Sequence, residues 1–392
     1  MGRMNRRVLV VTNTPTPYRN FTFQQLGTAC AEHSVDLDVW FMSSGDAYGR
    51  WRFSEQDLPF KSRIFGGPPR TIRGVPLHFA PRMLAAMARE SWDVTVVGGY
   101  AAPALLAAGV LARLRSYPVL WTEGNLTALR RTTGLLPIVK RLALEQFQAF
   151  VVPQQATEEM VVALAPKTKG RQFIRFPNLV DASVFGDGVA LARAARADIR
   201  RELGLAAGKQ LWLVAARLSE EKGLHELMRG LVGIDNVRLV LAGDGPLRDD
   251  LERLAASLDL DVNFRGQCDE GSLVRLLGAA DIFVLPSRWD SSPLAPIEAS
   301  CAGLPLLLSE RVGNAKDLLI SGVNGWSFDP LDETATRSAF QRVASLSDVE
   351  LKMMGRRSRA VYDERFDART HTVALARALW ELASARTRTG QS

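Results

Sequence analysis

Cysteine and histidine are scarce in this sequence, which has 3 cysteines and 4 histidines among its 392 residues. The cysteines, Cys30, Cys268 and Cys301, are odd in number and show none of the spacings of zinc ligands. This pattern argues against a disulfide framework and against a structural zinc site. It is typical of a protein in a reducing compartment, and we expect a cytoplasmic protein.

A continuous apolar segment long enough to cross a membrane is also missing. The best candidate, residues 94–112, is nearly free of polar side chains, but Gly98, Gly99 and Pro103 interrupt it. Its composition changes from β-branched residues to alanine and leucine, which predicts a buried strand, a glycine turn and a buried helix. The basic start MGRMNRRVLVVTN shows no cleavage pattern, so we expect no signal peptide.

Acidic residues are too few to balance the basic ones in the first half. Residues 1–180 contain 22 Lys and Arg against 12 Asp and Glu, and the rest contains 27 against 30, so the first half supplies the net charge of +7. This excess favours an anionic partner, either phosphate groups or an acidic membrane surface. The alternative is that arginine only provides ordinary surface charge. We expect no nucleic-acid partner.

Short apolar runs alternate with longer helical periods along the whole chain. RRVLVVTN, VDLDVWFM and WDVTVVGG have the pattern of strands, and QLWLVAARL, VRLVLAG and DIFVLPS repeat it in the second half. Such alternation predicts α/β structure with parallel sheets. We expect two Rossmann-like lobes that face a central cleft, residues 1–180 and 181–365, and a final helix, 366–392, that crosses back to the first lobe.

The loops that follow the strands of the second lobe carry the chemistry. Arg217 and Lys222 flank a strand-to-helix corner, where they can converge on a diphosphate or form an ordinary surface turn. The glycines of AGDGP, Gly243 and Gly245, allow a ligand to approach the backbone closely. A third glycine is absent, which argues against NAD. The turn at Gly266 is a further candidate for the binding of a base.

RWDSSPLAPIEASCAG, residues 288–303, places two acids around a predicted helix start. Asp290 lies in the loop and Glu298 inside the helix, and ionised carboxylates only accept hydrogen bonds, so both suit hydroxyl-bearing ligands such as a ribose and a sugar ring. The amides of Leu294 and Ala295 and the hydroxyl of Ser292 could bind an anion between them. The alternative is that Asp290 caps a turn and Glu298 pairs with an arginine.

The segments AARLSEEKGLHEL, LAGDGPLRDDLERLA, AADIFVLPSRWDSSPLAPIEASCAGLPLLLS and GVNGWSFDP occur in this order. From about residue 173 onwards the chain resembles the nucleotide-sugar glycosyltransferases of the GT-B type, in particular the retaining family 4. The first lobe is similar only in general, through TNTPTPYRNFTFQQL and VVGGY. The resemblance implies that the first lobe binds the acceptor and the second the donor. It further implies that Arg217 and Lys222 stabilise the diphosphate leaving group and that Glu298 binds the ribose.

Three positions depart from the pattern of that family. Asp290 stands where the family usually has a glutamate that contacts the donor sugar, and Pro293 stands where it commonly has glycine, which leaves a glucose-like donor in doubt. After PVLWT many relatives have a histidine, whereas this chain has Glu123. This residue could orient the acceptor hydroxyl or bind a cationic group of the acceptor, and the alternative is an ordinary N-cap neighbour. The remaining candidates for acceptor binding are Tyr18, Arg19, Tyr100 and Asn125.

The resemblance implies transfer of a sugar from a UDP- or GDP-sugar to an acceptor hydroxyl, with no cofactor beyond the donor. Cationic side chains and helix amides can stabilise the leaving diphosphate, so we expect metal independence. The acceptor is either lipid-linked, with contact to an anionic membrane, or a small molecule. A nucleotide-sugar epimerase, an NAD-dependent dehydrogenase and a non-catalytic sugar-binding protein remain alternatives.

Overall fold

The structure, a computed structural model, describes residues 5–46, 51–72, 75–77, 80–100, 102–124, 136–204 and 208–389. The chain forms two compact units. The first unit comprises Met1–Leu179 together with Ala368–Ser392, and the second comprises Val180–Asp367. Each unit contains a parallel sheet with helices on both faces, which confirms the prediction of two Rossmann-like α/β lobes.

The first unit contains a seven-stranded parallel sheet in the order β3-β2-β1-β6-β7-β8-β9 and a separate antiparallel pair, β4 and β5. Its strands are β1 (Arg6–Thr12), β2 (Val35–Phe41), β3 (Ser62–Ile64), β4 (Arg70–Ile72), β5 (Val75–Leu77), β6 (Val94–Gly98), β7 (Tyr117–Trp121), β8 (Ala149–Val152) and β9 (Gln172–Arg175). Its helices are α1 (Pro17–Glu32), α2 (Pro81–Arg89), α3 (Pro103–Arg115), α4 (Leu136–Glu145), α5 (Gln155–Leu164) and, from the end of the chain, α15 (Ala368–Thr389).

Alternate residues of the central strand β1 enter two different cores, because successive side chains of a strand point to opposite faces. Val8 and Val10 pack with α1 and α15 on one face of the sheet. Leu9 and Val11 pack on the other face with α2, α3, α4 and α5. Both faces of this strand are therefore buried, which explains the continuous apolar run that the sequence shows there.

The last helix, α15, belongs to the first unit although the whole second unit precedes it in the chain. Its buried side chains Leu375, Leu379 and Leu382 lie in the same core as Phe23 and Leu26 of α1. Arg369 at its start lies 3.5 Å from the carboxylate of Glu32. Helix α15 therefore covers α1, and the two helices complete one layer of the first unit.

The second unit contains a six-stranded parallel sheet in the order β12-β11-β10-β13-β14-β15. Its strands are β10 (Gln210–Ala215), β11 (Val237–Ala242), β12 (Val262–Gly266), β13 (Ile282–Leu285), β14 (Leu306–Ser309) and β15 (Gly325–Phe328). Its helices are α6 (Val189–Ala194), α7 (Arg196–Glu202), α8 (Leu224–Leu231), α9 (Arg248–Ser257), α10 (Glu270–Ala279), α11 (Ala295–Cys301), α12 (Ala315–Leu318), α13 (Glu333–Ala344) and α14 (Asp348–Arg365).

Two cores enclose this second sheet in the same way. One contains the buried side chains of α6, α7, α10, α11 and α12, and the other those of α8, α9 and α13. The segment ASVFGDGVALARAARADIRRELGL, which begins at Ala182, predicts a polar, glycine-containing connection followed by a helix. The connection is instead helical, because Ser183–Gly188 forms a π-helical turn directly before α6. Phe185 and Val189 explain this difference, since both point into the core and require a continuous helical surface.

The apolar segment at residues 94–112 forms a strand, a turn and a helix, as predicted. Strand β6 ends at Gly98, Gly99 has a φ of +111°, and α3 begins at Pro103. Within the described part of the chain, no helix combines the length and the apolar character that crossing a bilayer requires.

Candidate functional site

The candidate site lies at the carboxyl edge of the second sheet. Strand β10 has β11 on one side and β13 on the other, so the direction of the connections reverses between β10 and β13. In open α/β sheets, ligands bind at such a reversal, beyond the carboxyl ends of the strands. The residues that the sequence analysis selected in this unit all follow the carboxyl end of one of four strands: Arg217 and Lys222 after β10, Gly243 and Gly245 after β11, Gly266 at the end of β12, and Asp290, Ser292, Leu294, Ala295 and Glu298 after β13.

The loop after β10 reaches the end of β13 because of a glycine. Gly223 has a φ of +64° and ends a short 3₁₀ turn, Glu220–Lys222. A Cβ atom on Gly223 would lie 2.1 Å from the carbonyl oxygen of Pro286, so only glycine allows the two loops to pack this closely. The amide of Arg288 also donates to the carbonyl of Glu221, at 2.8 Å.

This packing brings two of the predicted residues into direct contact. The ammonium of Lys222 lies 2.5 Å from Oδ2 of Asp290, and these side chains are only 18% and 16% exposed. The backbone holds Asp290 in place, since its carbonyl accepts from the amide of Gly313 at 2.9 Å. The carboxylate therefore fixes the position of the ammonium and neutralises its charge in a partly desolvated place.

The glycines after β11 allow the loop after β10 to pack closely against them. A Cβ atom on Gly243, which has a φ of +147°, would lie 1.9 Å from the carbonyl oxygen of Ala216, and one on Gly245 would lie 2.3 Å from that of Leu218. The space beside these glycines is thus filled by the loop after β10. Gly266 is joined to this arrangement, because its carbonyl accepts from the amide of Gly243 at 2.8 Å.

Arg217 lies two residues beyond the end of β10 and is exposed, at the same edge as Lys222. Helix α11 begins at Ala295 with Leu294 as its N-cap residue, and Pro296 in its first turn has no N–H. No described residue accepts a hydrogen bond from the amides of Leu294 or Ala295. Ser292 lies half-buried in the loop before them.

Glu298 is a buried acid whose carboxyl group accepts no hydrogen bond from any residue in the described ranges. Its side chain is 6% exposed, and the arginine partner considered as an alternative is not found in the described structure. Burial, with a smaller contribution from the charge of Glu270, raises the pKa of Glu298 to about 7. A buried carboxyl group without a donor can accept hydrogen bonds from a ligand.

Two further polar residues of this region, Arg288 and Asn314, were not predicted from the sequence. Arg288 bridges Glu220 in the loop after β10 and Glu226 in α8, with Nε 2.9 Å from Oε1 of Glu226 and Nη1 3.2 Å from Oε1 of Glu220. Asn314 donates to the carbonyl of Pro293 at 2.8 Å and so supports the start of α11. The position of Arg288, two residues before Asp290, was the only available signal.

The residues selected in the first unit lie at the equivalent edge of their own sheet. There the connections reverse between β1 and β6, and Gly98 packs so tightly that a Cβ atom would lie 2.8 Å from Oγ1 of Thr12. Arg19 donates to that same hydroxyl at 3.0 Å. Tyr100 and Glu123 follow the carboxyl ends of β6 and β7 and are half-buried, and Asn125 lies outside the described residues.

Tyr18 lies in the first turn of α1, next to an aromatic residue that was not predicted. Its ring contacts Trp51 edge to face, with a centroid distance of 6.2 Å, and the side chain is 37% exposed. Burial raises the pKa of Tyr100, so its hydroxyl stays protonated and can donate. The first unit therefore presents an aromatic pair, a guanidinium and a carboxyl group along one sheet edge.

Comparison with known proteins shows what this arrangement is similar to. Residues 195–360 match the family described as glycosyl transferases group 1. An uncharacterised glycosyltransferase of Methanocaldococcus jannaschii is 31% identical over 153 residues, 38% of this chain and 39% of that protein. The GDP-mannose-dependent alpha-mannosyltransferase of Corynebacterium glutamicum is 30% identical over 141 residues, 36% of this chain and 33% of that protein.

The crystal structure of Anabaena HepE in complex with UDP and glucose has the same fold, with a TM-score of 0.72 at 17% identity over 96% of this chain and 100% of that chain. The two relatives align over only 39% and 33% of their own length. Residues 195–360 of the second unit are therefore similar to the group 1 glycosyl transferases, and the chain has the GT-B fold. The sequence-based prediction of this fold is confirmed.

Proposed function

We propose that this protein transfers a sugar from a nucleoside-diphosphate sugar to an acceptor hydroxyl, with retention of anomeric configuration and without a metal ion. The observation that carries the proposal is the buried Glu298 carboxyl group, which lacks a donor in the described structure and lies at the same sheet edge as the Lys222–Asp290 pair. The relatives support the donor class, since one is named for its dependence on GDP-mannose and HepE was crystallised with UDP and glucose.

Glu298 is the candidate for the nucleotide ribose. A ribose has two neighbouring hydroxyl groups, and a carboxylate has two oxygens that can accept from both. The hydroxyl donors would stabilise the ionised form and so offset the burial that raises the pKa of Glu298. A buried acid is thus satisfied only when the donor is bound, which favours specific binding.

Lys222 and Arg217 are the candidates for the diphosphate. As the bond between the sugar and the phosphate breaks, negative charge develops on the leaving group, and preorganised cations stabilise it. Lys222 is already positioned by Asp290, so little reorganisation is required when the donor binds. The unsatisfied amides of Leu294 and Ala295 add two donors at the same edge.

Asp290 is the candidate for contact with the donor sugar. Only its Oδ2 contacts Lys222, and no described residue donates to its second oxygen, which leaves an acceptor for a sugar hydroxyl. The shorter side chain, compared with the usual glutamate of the family it resembles, brings the sugar and the ammonium closer together. In the first unit, Tyr18, Arg19, Tyr100 and Glu123 are the candidates for the acceptor.

A thermal-shift panel tests the donor site. Wild type, Glu298→Gln and Lys222→Ala are heated with UDP, GDP, dTDP, ADP or NAD. Arg357→Ala, at an exposed residue of α14, is the charge-matched control for Lys222→Ala. A ligand at about 100 times its Kd stabilises by about 2.7 kcal/mol, which corresponds to several degrees. We expect one nucleoside diphosphate to stabilise wild type and the control, but neither site variant. A shift with NAD alone contradicts the proposal.

Turnover separates the transferase from its alternatives. An epimerase converts the donor without an acceptor, and a binding protein does not consume it at all. We expect donor consumption only when an acceptor is present, and an unchanged configuration at the anomeric carbon of the product, measured by NMR. Because we propose transfer without a metal ion, we expect full activity after treatment with a chelator. Loss of activity after this treatment would contradict metal independence.

The surface of α3 and α4 favours a lipid-linked acceptor. Both helices pack on the same face of the first sheet, and Gly109 of α3 lies against the ring of Phe147 just after α4. Leu114 and Leu142 are 73% and 59% exposed. The same helices also expose Val110, Ile138 and Val139 beside Arg113, Arg115, Lys140 and Arg141. Exposed aliphatic side chains among cations are typical of contact with an anionic bilayer.

Co-sedimentation with vesicles at low and high salt tests this contact. We expect binding to anionic but not to neutral vesicles, weakened by salt, and strongly reduced in the variant Leu114→Ser/Leu142→Ser. Leu191→Ser, at a residue of the second unit that is 78% exposed, is the control. Equal binding of all three proteins would overturn the membrane contact and leave a soluble acceptor.

A further inference from the structure

A cavity of about 610 Å³ lies in the second unit at the edge opposite to the donor site. Its wall includes Asp281 and Pro305, which immediately precede β13 and β14, and therefore the amino ends of these strands. Glu298 and Asp290 follow the carboxyl end of β13 instead. The cavity shares no residue with the candidate donor site and does not depend on the proposed function.

One face of α14 forms the opposite wall. Leu351, Lys352, Gly355, Arg356 and Arg359 are spaced so that they line a single side of this helix. A Cβ atom on Gly355 would lie 2.2 Å from the carbonyl oxygen of Gly303, so the glycine allows α14 to approach the turn between α11 and β14. This close approach places the lining face of α14 beside that turn.

Five cations line the cavity, and three of them have no carboxylate partner in the described structure. Arg196 pairs with Asp281, and Arg359 pairs with Asp363 at 2.8 Å. The other three are Arg193, Lys352 and Arg356. The guanidinium of Arg193 donates only to carbonyls, at 2.7 Å to Ala302 and 3.1 Å to Gly303.

The acids at this cavity do not compensate these charges. Asp281 is shared between Arg196 and Arg200, and Asp348, at the first turn of α14, contacts none of the three cations within ion-pair distance. Like charges gathered in a concave surface with low-dielectric walls produce a positive potential that attracts anions. Ala302, Leu304 and Pro305, by contrast, add apolar atoms to the lining.

We propose that this cavity binds a small organic phosphate monoester. The phosphate dianion would lie between Arg193, Lys352 and Arg356, and a guanidinium held by carbonyls can still offer its remaining N–H groups to phosphate oxygens. The apolar part of the ligand would lie on Leu304 and Pro305. The volume is within the range of small-molecule sites and is larger than inorganic phosphate requires.

Calorimetric titration with phenyl phosphate tests this proposal, because that probe combines a phosphate monoester with an apolar body. The titration is carried out at constant ionic strength on the full chain with Lys222→Ala, which removes the candidate diphosphate cation. We expect phenyl phosphate to bind at least tenfold more tightly than inorganic phosphate. The variant Lys352→Gln/Arg356→Gln should lose at least tenfold in affinity, and it should fold normally, since neither side chain has a described partner.

Arg357→Gln, at a neighbouring exposed residue of α14 outside the cavity, removes one charge of the same kind and should bind like the parent protein. Arg193→Gln provides an independent variant on the opposite wall and should also lose affinity. Absent binding, equal affinity for both probes or an unchanged affinity in the double variant would overturn the site. Binding to phosphatidic-acid vesicles through the same cations, without binding of phenyl phosphate, would assign a lipid headgroup and overturn a soluble ligand.

Discussion

The ammonium of Lys222 lies 2.5 Å from the carboxylate of Asp290, across two loops that leave the neighbouring strands β10 and β13. The two residues are 68 positions apart in the chain. Their contact lies between β10 and β13, where the direction of the connections in the second sheet reverses. It couples the candidate diphosphate cation to the candidate sugar-binding acid, so that a change in either should affect the other.

Replacement of Asp290 by asparagine should separate catalysis from nucleotide binding. The amide preserves the shape but no longer holds the ammonium by charge, so we expect kcat/KM to fall at least 100-fold, or about 3 kcal/mol in transition-state stabilisation. The affinity for the nucleoside diphosphate should be unchanged or higher, because a nearby negative charge is removed. Asp290→Glu, which preserves the carboxylate, should retain more activity. Equal losses of binding and of kcat in Asp290→Asn would contradict this role.

The second unit should become less stable as the pH rises, because Glu298 titrates. Its pKa is raised from 4.5 to about 7 in the folded protein, so between these values the folded state binds a proton that the unfolded state has released. The folded state is therefore most favoured below about pH 4.5, and this contribution is lost as the pH rises to about 7. The shift corresponds to about 3 kcal/mol.

Glu298→Gln removes this titration. We expect the variant to be more stable than wild type at pH 8 and to differ little at pH 5, measured by urea unfolding at both pH values. The comparison is made without nucleotide, because a bound ribose would satisfy the carboxylate. A stability difference that is independent of pH would show that the carboxyl group does not titrate in this range.

Gly243→Ala should destabilise the second unit strongly. The added Cβ atom would lie 1.9 Å from the carbonyl oxygen of Ala216, and the φ of +147° is unfavourable for any L-residue. We expect a loss of more than 3 kcal/mol in the free energy of unfolding, from backbone strain combined with displacement of the loop. Gly233→Ala is the matched control, because its φ is +81° but nothing lies near its Cβ position. It should lose only about 1 kcal/mol, and equal losses would contradict the argument from packing.

Leu379→Ala should destabilise the first unit although the residue lies near the end of the chain. Leu379 is 1% exposed and packs into the core with Phe23 and Leu26. Truncation of a buried leucine costs about 2–5 kcal/mol, through lost burial and the cavity left behind. Chemical unfolding monitored in the first unit should show this loss, whereas Leu191→Ala, at an exposed position, should change stability by less than about 0.5 kcal/mol. A loss under 1 kcal/mol would mean that α15 packs loosely.

Much of the fold was predictable, because strands and helices leave local signatures. The interruption at Gly98 and Gly99 was enough to distinguish a strand and a helix from a membrane span. The Ser183–Gly188 turn was not recognised as helical, since its glycines are typical of loops and only the burial of Phe185 stabilises it. Trp51 and Arg288 were not predicted for a related reason, because each is positioned by a contact with a distant segment of the chain.

The sequence by itself determined the order of the elements, the two α/β lobes and the positions of the candidate residues behind particular strands. These features depend on short-range periodicity, and the carboxyl ends of parallel strands always share one edge. Only the tertiary structure decided that Asp290 holds Lys222 and that Gly243 accommodates the carbonyl of Ala216. The cationic cavity is assembled from four separate segments. Such contacts join residues far apart in the chain, and they exist only when the complete sheet and its helices fix the distances between them.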